Sequence, residues 1–88
     1  MDYTLRLYVT GTTPNSVRAI NNIREVCEEH LPGRYVLEVI DVYQQPELAR
    51  QQQLVALPML VIQSPIPERR LVGDMSVEVK VLKALGIQ

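Results

Sequence analysis

A strand followed directly by a long amphipathic helix is the feature that most constrains the fold of this chain. Leu5, Leu7 and Val9 alternate with polar residues, which is the period of two expected of a strand with one buried face. Gly11 ends that pattern, and Pro14 suits the first position of a helix, because its fixed φ fits there and its missing N–H costs no hydrogen bond. The segment therefore predicts a β-strand, a tight turn and a helix.

The predicted helix has one apolar face and candidate caps at its start. Thr12 and Thr13 supply hydroxyls that can accept hydrogen bonds from the free N–H groups of the first turn. Pro32-Gly33 ends the helix. Its apolar positions recur at spacings of three and four, which places them on one side of a helix. These positions are Val17, Ile20, Ile23, Cys27 and Leu31.

The segment from Tyr35 to Tyr43 completes a βαβ unit. It is rich in β-branched residues and is interrupted only by Glu38 and Asp41, which is typical of an interior parallel strand covered on both faces. Two parallel strands joined by a helix form a right-handed crossover. The 88 residues, 1–88, are expected to make a single small domain.

The second half of the chain carries weaker signals. Pro46-Glu47 predicts the start of a helix, which should be short because glutamines at 51–53 interrupt its apolar stripe. An apolar run from Ala56 to Ile62 predicts a strand, and Pro58 near its start makes the preceding peptide bond a candidate for the cis form. Arg69 to Val72 predicts a short antiparallel edge strand.

The last segment satisfies two periodicities. Residues 75–81 alternate apolar and polar as in a strand, whereas Asp74 or Ser76 can cap a helix that residues 82–85 continue. The helix is favoured because a capping residue stands at its start and helix-forming residues stand at its end. Valine in a helix costs only roughly a few tenths of a kcal/mol relative to alanine. The order of elements is then βαβαββα, an α/β fold of the thioredoxin-like type.

Composition and charge exclude several function classes. Nine basic and ten acidic side chains give a formal charge of −1, whereas nucleic acids are bound by densely cationic surfaces, so we expect no nucleic-acid partner. No run approaches the ~20 apolar residues of a membrane span, and the one cysteine rules out an internal disulfide and fits a reducing compartment. We therefore expect a cytoplasmic protein with no membrane partner.

The residues typical of an enzyme active site are missing from this sequence. A redox thioredoxin needs a thiolate at the start of its first helix, and this chain has residues 12–15, Thr-Thr-Pro-Asn, there. Cys27 lies near the far end of the helix on its apolar side, so we interpret it as a buried structural thiol. His30 is interpreted as a helix-end histidine rather than a metal ligand. Glu38 and Asp41 lie on opposite faces of a strand and form no acid and base pair. We predict no catalytic, metal or cofactor site.

Several stretches taken together resemble the KaiB family of circadian-clock proteins. The resemblance covers nearly the whole chain in order, and the set of motifs is more specific than any one of them. They are residues 7–19, LYVTGTTPNSVRA, followed by Val39–Val42, Pro46–Ala49, Ala56–Pro58 and Arg69–Ser76. The related thioredoxin-like sensory domain of the clock-output histidine kinase SasA is the nearest competing assignment.

The resemblance implies a non-enzymatic regulatory protein that binds the hexameric ATPase ring of a KaiC-type kinase and modulates its phosphorylation. KaiA-like or SasA-like proteins would be indirect partners, and no cofactor is implied. We predict that the contact is lined by Arg18, Asp41, Gln53, Ile62, Arg69 and Arg70. Gln53 and Ile62 stand where the family has lysines. The alternatives are a thioredoxin-like redox or sensory domain with another partner, and a stress-adaptation role in an organism without a clock.

The resemblance also implies that residues 44–88 exchange between a thioredoxin-like monomer and a KaiB-specific arrangement that forms homodimers and homotetramers. The positions we associate with this fold switch are Pro58, Pro65, Pro67, Ala84 and Gly86. Ala84 stands where the family commonly has glycine. Alanine favours a helix over glycine by ~1 kcal/mol, or about fivefold in population, so we predict a larger share of the thioredoxin-like state here than in clock members of the family.

Overall fold

A computed structural model describes residues 2–54 and 56–87 of the chain as a four-stranded sheet with helices on both faces. The elements are β1 (Tyr3–Val9), α1 (Pro14–His30), β2 (Tyr35–Asp41), α2 (Pro46–Gln51), β3 (Met59–Ser64), β4 (Arg69–Val72) and α3 (Glu78–Leu85). Their order is the predicted βαβαββα. None of the helices in the described part of the chain is both long enough and apolar enough to cross a bilayer.

Strand β1 occupies the centre of the sheet, whose strand order is β2-β1-β3-β4. It pairs in parallel with β2, with Leu7 opposite Val39, and antiparallel with β3, with Leu7 opposite Leu60. Strand β4 then pairs antiparallel with β3 at the edge. Since β1 is covered on both faces, its burial departs from simple alternation, and Tyr8 beside Leu7 is 0% exposed.

The larger core lies between one face of the sheet and the helices α1 and α3. Its fully buried members include Leu5 and Leu7 of β1, Ile23 of α1, Leu60 of β3 and Val81 of α3. A smaller cluster on the opposite face packs against α2 and the loop that follows it; it contains Tyr8, Ile40, Met59 and Val61, with Leu48, Leu54 and Leu57 partly buried against them.

The apolar face of α1 is rotated from the predicted one. Its buried residues are Ser16, Ala19, Ile23, Val26 and Cys27. Val17 is 43% exposed, so the prediction that it faces the core is wrong. The reason is that Ser16 takes the inward position, where its hydroxyl accepts a hydrogen bond from the backbone N–H of Thr10 at 3.1 Å. The periodicity was sufficient to identify the helix, and the neighbouring loop decides which of two adjacent residues points inward.

Strand β2 is an edge strand, which corrects the prediction of an interior strand from Tyr35 to Tyr43. Among the described strands its neighbour is β1 alone, and it ends at Asp41. Ile40 is its one buried residue, while Val36 is 65% exposed. The prediction failed because β3 returns antiparallel on the far side of β1, so the central place goes to β1 and not to β2.

The terminal segment forms the predicted helix but begins later than its candidate caps. Helix α3 starts at Glu78, with Val77 at the N-cap and no capping side chain among the described residues. Asp74 Oδ1 instead accepts a hydrogen bond from the backbone N–H of Ser76 at 3.0 Å, in the turn before the helix. The prediction that Asp74 or Ser76 caps the helix is therefore wrong. At the other end Gly86 has φ +78°, and the N–H of Ile87 donates to Leu82 O at 2.9 Å. Glycine suits this left-handed C-terminal position because it has no Cβ.

Candidate partner-binding surface

Asp41 fixes one end of the sheet, where the loops after β1 and β2 meet. Its Oδ1 accepts two hydrogen bonds, one from the backbone N–H of Gly11 at 3.1 Å and one from the backbone N–H of Tyr43 at 2.9 Å. Gly11 has φ +58°, in the left-handed region that glycine enters without strain. Asp41 thus holds the turn before α1 against the end of β2, and this backbone role accounts for a carboxylate at its position.

Hydroxyl groups line the start of α1, the place where a redox protein of this fold would need a thiolate. Thr13 occupies the N-cap, but its Oγ donates to Ser16 Oγ at 2.8 Å instead of capping a backbone N–H, so the predicted capping role is wrong. A shallow groove beside this turn is bordered by Thr10, Thr13, Pro14, Asn15, Leu57 and Pro58. The Leu57–Pro58 bond is cis, as the sequence indicated it could be.

The thiol of the chain lies away from this groove. Cys27 of α1 is 0% exposed and belongs to the larger core, which confirms its interpretation as a buried structural cysteine. Burial, with a smaller contribution from the Glu28 carboxylate, raises the pKa of the Cys27 thiol to about 11. The thiol is therefore protonated and inert near neutral pH.

Arg70 joins strand β4 to the end of α2. Its Nη1 donates to Gln52 O at 2.8 Å, its Nη2 donates to Gln52 Oε1 at 3.1 Å, and its Nε lies 3.3 Å from Glu68 Oε2. Gln53 follows directly, is exposed, and has φ +52°. The structure therefore brings two of the predicted contact residues, Gln53 and Arg70, to the same side of the sheet. Gln52, which the sequence reasoning passed over, is the residue that connects them.

Arg69 points to the opposite face from Arg70, because neighbouring residues of a strand alternate. Its Nη1 donates to Ala84 O at 3.1 Å, where it satisfies a carbonyl at the end of α3. A Cβ added at Gly86 would lie 3.0 Å from the same nitrogen atom. Arg69 is thus hydrogen-bonded to Ala84 and lies close to Gly86, two positions that we associated with fold switching.

Arg18 ties α1 to the loop that precedes α3. Its Nε lies 3.4 Å from Asp74 Oδ2, and it also donates to Asn15 Oδ1. Nearby, Asn22 Nδ2 donates to Asp74 O at 2.9 Å. Hydrogen bonds from Ser76, followed by the Arg18 guanidinium, hold the pKa of the Asp74 carboxyl below its usual value. Asn22 and Asp74 were missed from the sequence because no local pattern connects residues so far apart.

Ile62 does not lie on the surface of this structure. It is 1% exposed, pairs with Arg69 across β3 and β4, and belongs to the larger core. The prediction that it lines a partner contact is wrong for the thioredoxin-like arrangement, because its side chain fills the space between the sheet and the helices. The five other predicted contact residues are reachable from solvent but do not form one cluster.

The remaining fold-switch positions lie around strand β3. Pro58 is buried where the strand begins, and Pro65 and Pro67 occupy the turn that joins β3 to β4. The peptide bonds before all three prolines are cis. Ala84 lies within α3, as the helical prediction for this segment requires.

An apolar groove between β4 and α3 was not found from the sequence. Leu71, Val72, Met75, Val77 and Val81 contribute its apolar lining. Val72 and Val77 are 50% and 51% exposed. The alternating apolar residues of 75–81 were the signal that could have revealed it. When this segment forms a helix, some of these residues no longer face the core and are left exposed.

Comparison with known proteins identifies the family. The KaiB domain model matches residues 6–87. The chain is 48% identical over 85 residues to the circadian clock oscillator protein KaiB of Prochlorococcus marinus (strain MIT 9312), covering 97% of this chain and 81% of that relative. The chain belongs to the KaiB family. The resemblance drawn from the sequence motifs is thereby confirmed.

Solved structures confirm the thioredoxin-like fold of this KaiB-family chain. The N-terminal domain of SasA from Synechococcus elongatus superposes with a TM-score of 0.67 at 30% identity, over 100% of this chain and 87% of that one. Chloroplastic thioredoxin z superposes with a TM-score of 0.74 at 19% identity, over 97% of this chain and 79% of that one. The likeness to thioredoxin z concerns the fold alone. At the start of α1, where a redox protein of this fold needs a thiolate, the KaiB-family chain has hydroxyl side chains.

Proposed function

We propose that this chain is a non-enzymatic regulatory protein that binds the ATPase ring of a KaiC-type kinase and modulates its phosphorylation state. It would act in circadian timing or in a stress response derived from a clock. The observation that carries the proposal is the KaiB match over residues 6–87, together with relatives named as circadian clock oscillator proteins. The buried thiol and the hydroxyl-lined start of α1 support a binding role over a redox one.

The side of the sheet that carries α2 is the surface we assign to the ring. Gln53 and Arg70 are both exposed there, and Arg70 orders the loop between α2 and β3 through its two hydrogen bonds to Gln52. Val42, Leu54 and Leu57 line an apolar groove that Gln53 and Arg50 also border. A cationic side chain next to an apolar groove is a common composition for a protein-binding patch.

Binding to an immobilised KaiC-type hexamer with ATP tests this proposal. We expect the native chain to bind and to change the phosphorylation state of the hexamer. Arg70→Glu should weaken binding at least tenfold, about 1.4 kcal/mol, because it reverses a charge and releases the loop. Arg24→Glu on the exposed side of α1 is the matched charge reversal and should bind normally. The proposal fails if the native chain does not bind, and the assigned surface fails if the two variants bind equally well.

The redox alternative is tested with the same assay. Cys27→Ser should bind the hexamer and alter its phosphorylation as the native chain does, because the thiol is buried and protonated. Loss of activity in a correctly folded Cys27→Ser protein would favour a thiol-dependent function.

A sensory interaction domain is a second candidate, favoured by the 30% identity and TM-score of 0.67 with the SasA N-terminal domain. A regulator of the KaiB type acts on the kinase as a free chain, whereas a sensory domain acts on an attached domain. A chain that binds the hexamer but leaves its phosphorylation unchanged at saturation would favour the sensory candidate.

We further propose that residues 44–88 exchange with a KaiB-specific arrangement that assembles into homodimers or homotetramers. The limited burial of α2 and β4 supports this, because neither contributes a buried residue to the core; the main apolar contacts that would have to break are those of β3, which has four buried residues. Mass measurement by size-exclusion chromatography over a hundredfold dilution should show dissociation to a monomer. A monomer at every concentration would contradict the assembly.

A further inference from the structure

The end of α1 and the first turn of α3 bring one imidazole and two carboxylates together. His30 Nε2 lies 3.7 Å from Glu29 Oε2 and 3.6 Å from Glu78 Oε2. One ligand atom from each of the three residues lies within 4.8 Å of the other two. Glu78 comes from a distant part of the sequence, so the cluster exists only when α3 is docked against α1.

The imidazole nitrogen in this cluster lacks a hydrogen bond although it is hidden from solvent. His30 Nε2 has no hydrogen-bond partner among the described residues. Its distances of 3.7 and 3.6 Å to the two carboxylate oxygens exceed the length of a hydrogen bond, which is about 2.7–3.2 Å. A buried polar atom of this kind calls for a partner that the protein side chains do not provide.

A shared metal ion would provide that partner. Nitrogen and oxygen ligands lie about 2.0–2.2 Å from zinc, so neighbouring ligands of a tetrahedral site stand roughly 3.3–3.5 Å apart. The two separations from His30 Nε2, 3.6 and 3.7 Å, differ from this by a few tenths of an ångström, and the two carboxylate oxygens lie within 4.8 Å of each other. Two carboxylates and a neutral imidazole also carry the charge that balances a divalent cation.

We propose that Glu29, His30 and Glu78 form a zinc site that joins α1 to α3, which departs from the sequence-based interpretation of His30 because Glu78 is distant in the sequence. An imidazole with two carboxylates suits zinc, whereas calcium and magnesium prefer oxygen ligands alone. The His30 nitrogen is hidden, but Glu29 and Glu78 are exposed, so an ion can enter from the side of the two carboxylates and keep a water molecule as its fourth ligand. The site is independent of the proposed binding to a KaiC-type ring.

Zinc at this position would stabilise the docked form of α3. Two of the three ligands belong to α1 and the third to α3, which contributes only Val81 and Leu85 to the buried core. A ligand that binds one arrangement and not another shifts the equilibrium toward the first by mass action. Zinc should therefore favour the thioredoxin-like arrangement over any arrangement in which α3 leaves α1.

Zinc titration of the full chain, after removal of metal with a chelator, tests the site. Competition with a chromophoric chelator should show one zinc ion per chain, and the midpoint of thermal unfolding should rise with zinc. Glu78→Gln removes a ligand oxygen from an exposed side chain and should weaken zinc binding at least tenfold. Glu25→Gln, an exposed position on α1 outside the cluster, is the matched control and should bind zinc as the native chain does.

Hydrogen exchange gives a second measurement that does not depend on a stability change in the variant. Zinc should slow amide exchange in α3 of the native chain and of Glu25→Gln, and should leave it unchanged in Glu78→Gln. The proposal is overturned if no zinc binds at a hundredfold excess over protein, or if Glu78→Gln binds zinc as tightly as the native chain. Tighter binding of magnesium or calcium than of zinc would overturn the choice of ion.

Discussion

The two halves of the molecule are held together in different ways. In the first half, β1 and α1 each contribute five buried residues. In the second half, none of the residues in α2 or β4 is buried, and α3 contributes two. Strand β3 is the exception, because four of its six residues are buried between β1 and β4. The outer elements of the second half therefore surround the core without forming much of it.

Hydrogen bonds from side chains to distant parts of the chain hold those outer elements. Arg70 donates to Gln52 at the end of α2, Arg69 donates to Ala84 O in α3, and the buried hydroxyl of Tyr3 donates to Leu85 O at 3.0 Å. One such bond contributes about 0.5–1.5 kcal/mol, whereas truncating a buried leucine or isoleucine costs about 2–5 kcal/mol. The difference teaches that α2, β4 and α3 can change their packing while the first half and β3 stay folded.

Core truncation should show the largest difference between the halves. Ile23→Ala on α1 removes a side chain that is 0% exposed and should lower the free energy of unfolding by about 2–5 kcal/mol. Leu48→Ala on α2 removes a partly buried side chain and should cost less than about 1.5 kcal/mol, roughly two CH₂ groups of transfer free energy. Chemical denaturation of both variants measures this. Equal losses would break the comparison.

The C-terminal end of α3 should be sensitive to a single methyl group. Gly86→Ala places a Cβ at φ +78° and 3.0 Å from Arg69 Nη1, and should destabilise the protein by about 1–2 kcal/mol. Gly33→Ala is the matched control, because its φ of +69° imposes similar strain and no atom lies within 4 Å of the added Cβ. We expect the larger loss at Gly86, measured by thermal unfolding. Identical losses would mean that the Arg69 contact contributes nothing.

Loss of one buried hydroxyl should weaken the docking of α3. Tyr3→Phe removes the donor to Leu85 O and should cost about 0.5–1.5 kcal/mol. Tyr43→Phe, where the native side chain is 74% exposed, should leave stability unchanged. Hydrogen exchange of α3 amides should become faster in the first variant only. Unaltered exchange in Tyr3→Phe would show that this bond does not anchor the helix.

Protonation of Asp74, which contacts Arg18, should have the smallest effect on stability. Hydrogen bonds from Ser76 and then Arg18 lower the pKa of Asp74 in the folded state, from a usual value of 3.8. A carboxyl group of this kind stabilises the fold above its unfolded pKa, and that contribution is lost as the pH falls through the folded pKa. Asp74→Asn should therefore reduce the loss of stability below about pH 4. An Asp74 titration midpoint at or above 3.8, followed by NMR, would refute this.

Local patterns were sufficient to predict the elements and their order. Alternation identified β1, and spacings of three and four identified α1. Proline placed the starts of α1 and α2, and Pro32-Gly33 placed the end of α1. The fold class followed from these patterns, whereas the family followed from the resemblance of sequence motifs; the helical prediction for residues 78–85 is confirmed. Each of these features depends on residues close together in the sequence.

Contacts between distant residues could not be predicted in this way. The edge position of β2 follows from the pairing of β1 with β3, which places Leu7 opposite Leu60. The same pairing buries Ile62, which the family resemblance had placed at a partner contact. The bond from Arg70 to Gln52 and the approach of His30 to Glu78 likewise depend on how the elements pack. No periodicity within one element contains this information.

Native-state hydrogen exchange tests most directly the difference between the core elements β1, α1 and β3 and the outer elements of the second half. At low denaturant, amides of β1, α1 and β3 should exchange only through global unfolding, whereas amides of α2, β4 and α3 should exchange through smaller openings of lower free energy. Equal opening free energies in all seven elements, each matching the free energy of global unfolding, would contradict the account.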